Sequence, residues 1–370
     1  MKRIIAQARK ELTQLFRDRL TVALALVLPL ILLVLYGKAI SFSVTNVAIF
    51  VEDYDRTARS RSYVEMLAAS LTFRIVSLPE HMTTEEALAS ETVRAVVIIP
   101  TDFERNLARG RQTEVQWVID ATDTNTANIL RGDATAITQA FVAQNSANSP
   151  AIEPAVKAEM RLWFNPGRET DKYIGPGDIA VVLALFPPLL AALALSRETE
   201  QKTILQVYVS SISAFEYLMG KTLAFFMIAL AEWVLVVALG MVMFGLRFAG
   251  DPTPFLAGTL VYLFCNVAFG VMAGAAIPNQ AATIQAVATV CFVFSFLTSG
   301  FMFPISNIPV GIRWVSNLVP ARYFIEIARD AFLRGSSWAG VWHAHVALAL
   351  LGSIFLLVAW KGMRKMQVEI

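Results

Sequence analysis

Arg197-Glu198-Thr199-Glu200-Gln201-Lys202-Thr203-Ile204-Leu205, continued by Phe215-Glu216 and Gly220-Lys221, is a charged island between two long apolar runs. A chain that crosses a bilayer repeatedly can turn around in a few polar residues. Here a helix-length, charge-flanked segment, 197–221, fills the turn. Such a segment can dock into another protein and pass that protein's motion to the helices on either side. With the island outside lipid, the runs before and after it become membrane spans.

The composition supports that placement. Of 370 residues, 56% are hydrophobic and only 16% charged, whereas a soluble globular chain is nearer a quarter charged. The formal net charge of +2 gives no surface for nucleic acid. Cys265 and Cys291 both lie inside apolar runs, which excludes a disulfide framework and zinc-type spacing.

A helix needs roughly 20 apolar residues to cross a bilayer core. Six segments qualify: 20–40, 178–196, 222–246, 255–277, 282–303 and 342–360. Lys2, Arg3, Arg9, Lys10, Arg17 and Arg19 precede the first, and Lys361, Arg364 and Lys365 follow the last. An even number of spans puts both basic ends on one side, so the positive-inside rule makes both termini and the island cytoplasmic. Arg313, Arg322, Arg329 and Arg334 in the last external connection weaken this asymmetry without reversing it. The first span also carries a small-x-small pattern at Gly37 and Ala39, as a cleavable signal peptide would. It is longer than a typical signal core and has a long polar lead, which favours an uncleaved anchor. Within residues 1–19, Ile4, Ile5, Ala8, Leu12, Leu15 and Phe16 recur at helical spacing among basic residues, the pattern of an interfacial amphipathic helix.

Residues 41–177 have ordinary soluble composition and fall outside the cell membrane on the same topology. Strand-like stretches at 46–51, 73–78, 95–99 and 115–119 alternate with helical ones at 58–70, 84–90, 102–109 and 125–145. Thr83 through Glu86 and Thr101-Asp102 offer N-caps. The alternation predicts a small α/β domain, with Asn148-Ser149-Pro150 through Asn165-Pro166-Gly167 leading back to the membrane. Asp120, Asp123, Asp133, Glu52, Asp53 and Asp55 lack any Ca²⁺-loop spacing and read as turn caps.

The remaining motifs argue against catalysis by this chain. Gly220-Lys221-Thr222 resembles the tail of a phosphate-binding loop, but Phe215 occupies the first glycine position and no strand precedes it. His343 and His345 point opposite ways on a helix. Glu232 sits mid-span, where a carboxylate costs about 2–3 kcal/mol on insertion scales; it either makes an interhelical hydrogen bond or belongs to a substrate path. Asn266 presents the same choice, with helix–helix bonding favoured. Gly270 and Gly274, four apart, permit close packing. Ser299-Gly300-Phe301-Met302-Phe303-Pro304 ends the fifth span, and 304–340 is too apolar for a solvated loop and too broken to span, which predicts external re-entrant helices. Arg322, Glu326, Arg329 and Asp330 are spaced to pair on one helix face; an outer gate formed by Phe301, Phe303, Pro304, Arg322 and Arg329 is the alternative.

At these residues the chain resembles the ABC-2 type permeases, membrane subunits of ATP-binding-cassette exporters, in the bacterial branch with a large domain after the first helix that is often associated with multidrug efflux. That branch shows R-E-x-E-x-G-T-x-E-x-L, a Pro, then E-x-x-x-G-K. Arg197, Glu198, Glu200, Thr203, Glu216, Gly220 and Lys221 match, while Lys202, Leu205 and Ser211 replace the Gly, the second Glu and the Pro. Val118-Ile119-Asp120 with Asn125-Thr126-Ala127, Trp163-Phe164-Asn165-Pro166, Ile308-Pro309, Pro320 and Tyr323 add to the likeness. The resemblance implies an α-helical membrane protein of six transmembrane helices with an extracytoplasmic α/β domain inserted between the first and second. It implies a non-catalytic subunit in the bacterial inner (plasma) membrane that exports drug-like or amphipathic compounds. The matched island residues would couple it to a separate ATPase subunit that binds ATP and Mg. A second permease copy or paralogue (homo- or heterodimer) and a periplasmic adaptor protein complete the implied assembly, with no nucleic acid. On this reading Glu216→Arg or Lys221→Glu uncouples ATP hydrolysis from transport without unfolding the chain. An ion-coupled carrier would show paired broken helices and several intramembrane charges, of which Glu232 is one; a receptor with an external ligand domain would need a cytoplasmic output module, and the short C-terminal tail offers none.

Overall fold

A computed structural model of the chain describes residues 1–39, 46–79, 82–122, 124–145, 164, 169–210 and 212–366. Asp123, Trp163, Ser211 and the leads at 148–150 and 165–167 lie outside the described residues. The chain divides into two compact units, Met1–Ser41 with Leu162–Ile370, and Phe42–Arg161. The first opens with α1 (Lys2–Arg17) and α2 (Arg19–Ala39).

The second unit is α/β. Its elements are β1 (Val47–Asp53), α3 (Ala58–Ala68), β2 (Phe73–Ile75), α4 (Thr84–Ala89), β3 (Ala95–Ile99), α5 (Phe103–Ala108), β4 (Gln116–Ile119) and α6 (Thr124–Asn145). The sheet order is β2-β1-β3-β4, with β1 parallel to β2 and β3 and β4 antiparallel to β3. Ala95, Val96, Val97 and Ile99 of β3 are fully buried, as expected of a central strand covered on both faces. Tyr63, Leu67, Phe103 and Phe141 pack with Ile49 and Val97 on one side of the sheet. Thr83 and Glu86 form a capping box at α4. Asp102 precedes α5 without a side-chain cap, contrary to its reading as an N-cap.

The helical unit resumes with α7 (Thr170–Glu200), α8 (Ile204–Val209), α9 (Ala214–Met243), α10 (Thr253–Ala276) and α11 (Gln280–Thr289). A π-helical turn, Val290–Phe294, joins α11 to α12 (Ser295–Thr298). α13 (Val310–Arg313) and α14 (Pro320–Arg329) follow, the latter extended by a second π turn, Asp330–Arg334, before α15 (Trp338–Met366). Among the described residues, six helical stretches are long and apolar enough to cross a membrane: α2, α7, α9, α10, α11 through α12, and α15.

Several boundaries differ from the sequence reading, two of them near candidate site residues. The second span starts at Thr170, so Pro176 and Gly177 lie within α7 rather than ahead of it, and 170–177 leaves the predicted 41–177 domain. Gly175 and Gly177 there receive the rings of Phe244 and Phe301, to which a Cβ would come within 2.8 and 2.4 Å. The fifth span stops at Thr298, not at residue 303, after its π turn.

Proline also explains the tightest helix contact. Pro187 has no N–H, so the carbonyl of Leu183 loses its i+4 partner. Asn266 of α10 supplies one: its Nδ2 donates to Leu183 O at 3.2 Å. The approach this needs is made possible by Gly270 and Gly274, whose added Cβ atoms would lie 2.1 and 2.4 Å from the carbonyl oxygens of Pro188 and Ala192. Asn266 thus makes the interhelical hydrogen bond that its mid-span position suggested.

Candidate functional site

The ends of α7 and α9 meet α1 around one lysine. Lys221 is fully buried, and Glu11 and Glu198 are nearly so. The Lys221 ammonium lies 3.0 Å from Glu11 Oε1 and 3.2 Å from Glu198 Oε2. It donates to the carbonyl of Ala194 at 3.5 Å, which gives each of its three N–H groups an acceptor. The Tyr217 hydroxyl donates to Glu198, Lys10 reaches Glu198 Oε1 at 3.2 Å, and Gln7 Nε2 donates to Glu11 at 2.9 Å. A buried charge is tolerable only when paired and hydrogen-bonded in this way.

Local sequence puts these groups in place. Ser213 and Glu216 cap the start of α9 reciprocally, which fixes the first turn and carries Tyr217 and Lys221, four apart, to the face towards Glu198. Gly220 lets α1 come close: a Cβ there would sit 2.6 Å from the Gln7 side chain and 3.1 Å from Ile4 O. The packed face of α1 is therefore Ile4, Gln7, Ala8 and Glu11, while Ile5 and Phe16 stay exposed. Sequence reading treated α1 as an interfacial anchor and passed over Glu11 and Tyr217. The available signal was a carboxylate on the helix's apolar arc, at i+3 from Ala8 and i−4 from Leu15.

The island is not one helix-length segment. Arg197 through Glu200 form the last turn of α7, residues 214–221 the first turns of α9, and only six-residue α8 lies between. Of the matched residues, Glu198, Gly220 and Lys221 converge with Glu11. Thr203 Oγ1 donates to the Glu198 carbonyl at 3.2 Å. Glu216 lies 3.7 Å from Arg3, and Arg197 lies 3.9 Å from Asp18. Glu200 points elsewhere, accepting from the backbone N of Gln280 at 2.7 Å at the start of α11. Leu205 and Val209 of α8 are exposed.

At the other end of the helices the predicted gate residues separate. Phe301 is buried against Gly177. Arg329 donates to the carbonyls of Gly300 (2.9 Å) and Phe301 (3.3 Å) and lies 4.1 Å from the centre of the Tyr173 ring. Phe303 and Pro304 are exposed, and Arg322 donates to Asn317. The predicted pairing among Arg322, Glu326, Arg329 and Asp330 does not occur: Glu326 meets His343 at 3.1 Å, and the Asp330 carboxylate accepts from Ser336 and Ser337. Arg329, tied to two carbonyls, holds the turn that carries the Phe301 ring. Glu232 and Asp178, both fully buried, have no hydrogen-bond partner for either carboxyl oxygen among the described residues.

Nothing in this cluster offers a nucleophile with a base. It is a brace joining α1, α7 and α9 beside α8. The family model described as ABC-2 family transporter protein matches residues 19–361. The probable multidrug ABC transporter permease YbhS of Escherichia coli (strain K12) is 25% identical over 337 residues, 90% of this chain and 89% of that protein. YbhR of the same strain, also a probable multidrug ABC transporter permease, is 26% identical over 93% of this chain and 95% of its own length. The linearmycin resistance permease protein LnrN of Bacillus subtilis (strain 168) is 19% identical over 91% and 92%.

Proposed function

Because this chain belongs to the ABC-2 transporter family, we propose that it is the permease subunit of an exporter of amphipathic, drug-like compounds driven by a separate ATP-binding subunit. The observation that carries the reading is the brace around Lys221, set beside a short helix that exposes Leu205 and Val209. A partner that moves α8 moves α7 and α9 with it, because Thr203 and Glu198 join α8 to the ion cluster. ATP and Mg belong to the partner. Both termini and α8 face the cytoplasm, the Phe42–Arg161 unit lies outside, and the membrane is the bacterial inner membrane. A second permease, alike or related, covers part of the exposed apolar surface of α11 and the π turn after it (Ile284, Val290, Val293, Phe294). A periplasmic adaptor meets the outer unit. The drug-like substrate class is supported by what the names of YbhS and YbhR say of those proteins.

The test is gentle extraction from the native membrane. An ATP-binding-cassette subunit at one per permease copy supports the reading, and Leu205→Asp on α8 should abolish transport while the chain still accumulates in the membrane. Recovery of an intact permease with no ATPase would overturn it and turn attention to ion coupling through the unpartnered Glu232.

A further inference from the structure

A cavity of about 560 Å³ opens between α1, the end of α7 and α8. Its deeper wall is apolar: Leu15, Leu190, Leu193 and Phe225 are buried or half-buried. Its rim is charged, with Lys10, Asp18 and Arg197 about half exposed. Leu190 and Arg197 are seven residues apart on one helix, about 10.5 Å at 1.5 Å per residue. The cavity therefore runs from the level where a membrane helix ends to a depth occupied by acyl chains.

The lining selects a ligand class. Three carboxylates (Glu11, Asp18, Glu198) and two cations (Lys10, Arg197) line it, and the Lys221 ammonium buried behind the wall pairs with Glu11 and Glu198, so the site counted with that lysine is neutral and favours a ligand whose own charges balance. Lys221, Glu11 and Glu198 are committed to one another; Lys10, half exposed, gives one donor to Glu198 and keeps the others. Among the described residues the Arg197 guanidinium makes no hydrogen bond and its 3.9 Å contact with Asp18 is an ion pair only, while the Asp18 carboxylate also accepts from the backbone N and the hydroxyl of Thr21. A planar guanidinium with five donors suits a phosphate, and the neighbouring Asp18 suits an ammonium. The bilayer supplies both charges on one molecule at this depth.

We infer that this cavity binds one zwitterionic phospholipid with a primary ammonium headgroup, its phosphate on Arg197 and Lys10, its ammonium at Asp18, and an acyl chain along Leu193 and Leu190. Such a lipid spans the crevice between α1 and α7 and stiffens the same joint that the Lys221 brace closes. The inference goes beyond the exporter reading and needs only that the helices cross a bilayer, so it can fail while that reading stands.

The experiment is native mass spectrometry of the full chain from nanodiscs holding equal parts phosphatidylethanolamine, phosphatidylcholine and phosphatidylglycerol. The expected result is one retained phosphatidylethanolamine per chain, at least tenfold over either other lipid. Arg197→Ala, a half-exposed position that the fold tolerates, lowers retention about tenfold, and Leu193→Trp, which fills the acyl wall, does likewise. Equal retention of all three lipids, preference for phosphatidylglycerol or phosphatidylcholine, or wild-type retention in Arg197→Ala overturns the proposal.

Discussion

Replacing Lys221 by Met keeps the length of the side chain and removes its charge. Glu11 and Glu198 are then left buried and facing each other across the vacated ammonium, which had lain 3.0 and 3.2 Å from them. Removing one member of a buried ion pair costs about 3–5 kcal/mol. Glu198 retains Lys10 and Tyr217, and Glu11 retains Gln7, so the low end, about 3 kcal/mol, applies. The cheapest relief is for α1 to lift and hydrate Glu11. At about 1.36 kcal/mol per tenfold, the opened population of α1 rises roughly 100-fold. Hydrogen exchange on the full chain in nanodiscs reads this directly: peptides covering 2–17 lose about two decades of protection while those from α10 and α15 keep theirs. Adding Glu11→Gln and Glu198→Gln to Lys221→Met removes the stranded charges and restores most of the protection, since a neutral replacement of a whole buried ion cluster is often tolerated. Exchange of α1 within threefold of wild type in Lys221→Met would refute the argument. The same geometry corrects the expectation for Lys221→Glu, which buries three carboxylates together and disrupts the joint rather than only uncoupling it. Glu216→Arg, at a half-exposed cap, remains a usable uncoupling variant.

Asn266→Ala should cost about 1–2 kcal/mol of stability by stranding the Leu183 carbonyl. In a Pro187→Ala background, where residue 187 regains its N–H, the same change should cost little. Equal costs in both backgrounds, measured by unfolding in mixed detergent, would show that Asn266 does not repair the proline break. Gly177→Val drives a side chain into a site where even a Cβ lies 2.4 Å from the Phe301 ring. With Cys265 and Cys291 replaced by Ala, a Ser299→Cys reporter should react with a water-soluble maleimide at least tenfold faster when Gly177→Val is present; an unchanged rate argues that Phe301 does not shield this turn. In the α/β unit, hydrogen bonds from Thr122 and then the 2.6 Å ion pair with Arg94 hold the Asp120 carboxyl down from 3.8 to about 2. A depressed carboxylate stabilises the fold fully above its unfolded value and loses that contribution as pH falls towards 2. Arg94→Leu should therefore melt lower than wild type at pH 7, with the gap closing by pH 2; a gap independent of pH would count against the pairing.

Hydropathy and spacing were enough to find all six spans, because crossing a bilayer is a requirement on composition along one helix and needs no knowledge of neighbours. The strand and helix alternation of residues 47–145 was legible for a similar reason: Val- and Ile-rich runs and the Thr83 cap act within a few residues. Gly270 and Gly274 also announced a close contact, though not that its partner was the proline break in α7. What the sequence could not supply was the choice of partner. Lys10 and Glu198 are 188 residues apart, and Asn266 reaches a carbonyl 83 residues away. Arg329 had a carboxylate, Glu326, one turn back along its own helix yet is bound to the carbonyls of Gly300 and Phe301. In each case desolvation demands that a buried polar group be satisfied, and only the packed arrangement of helices decides which group is near enough to do it.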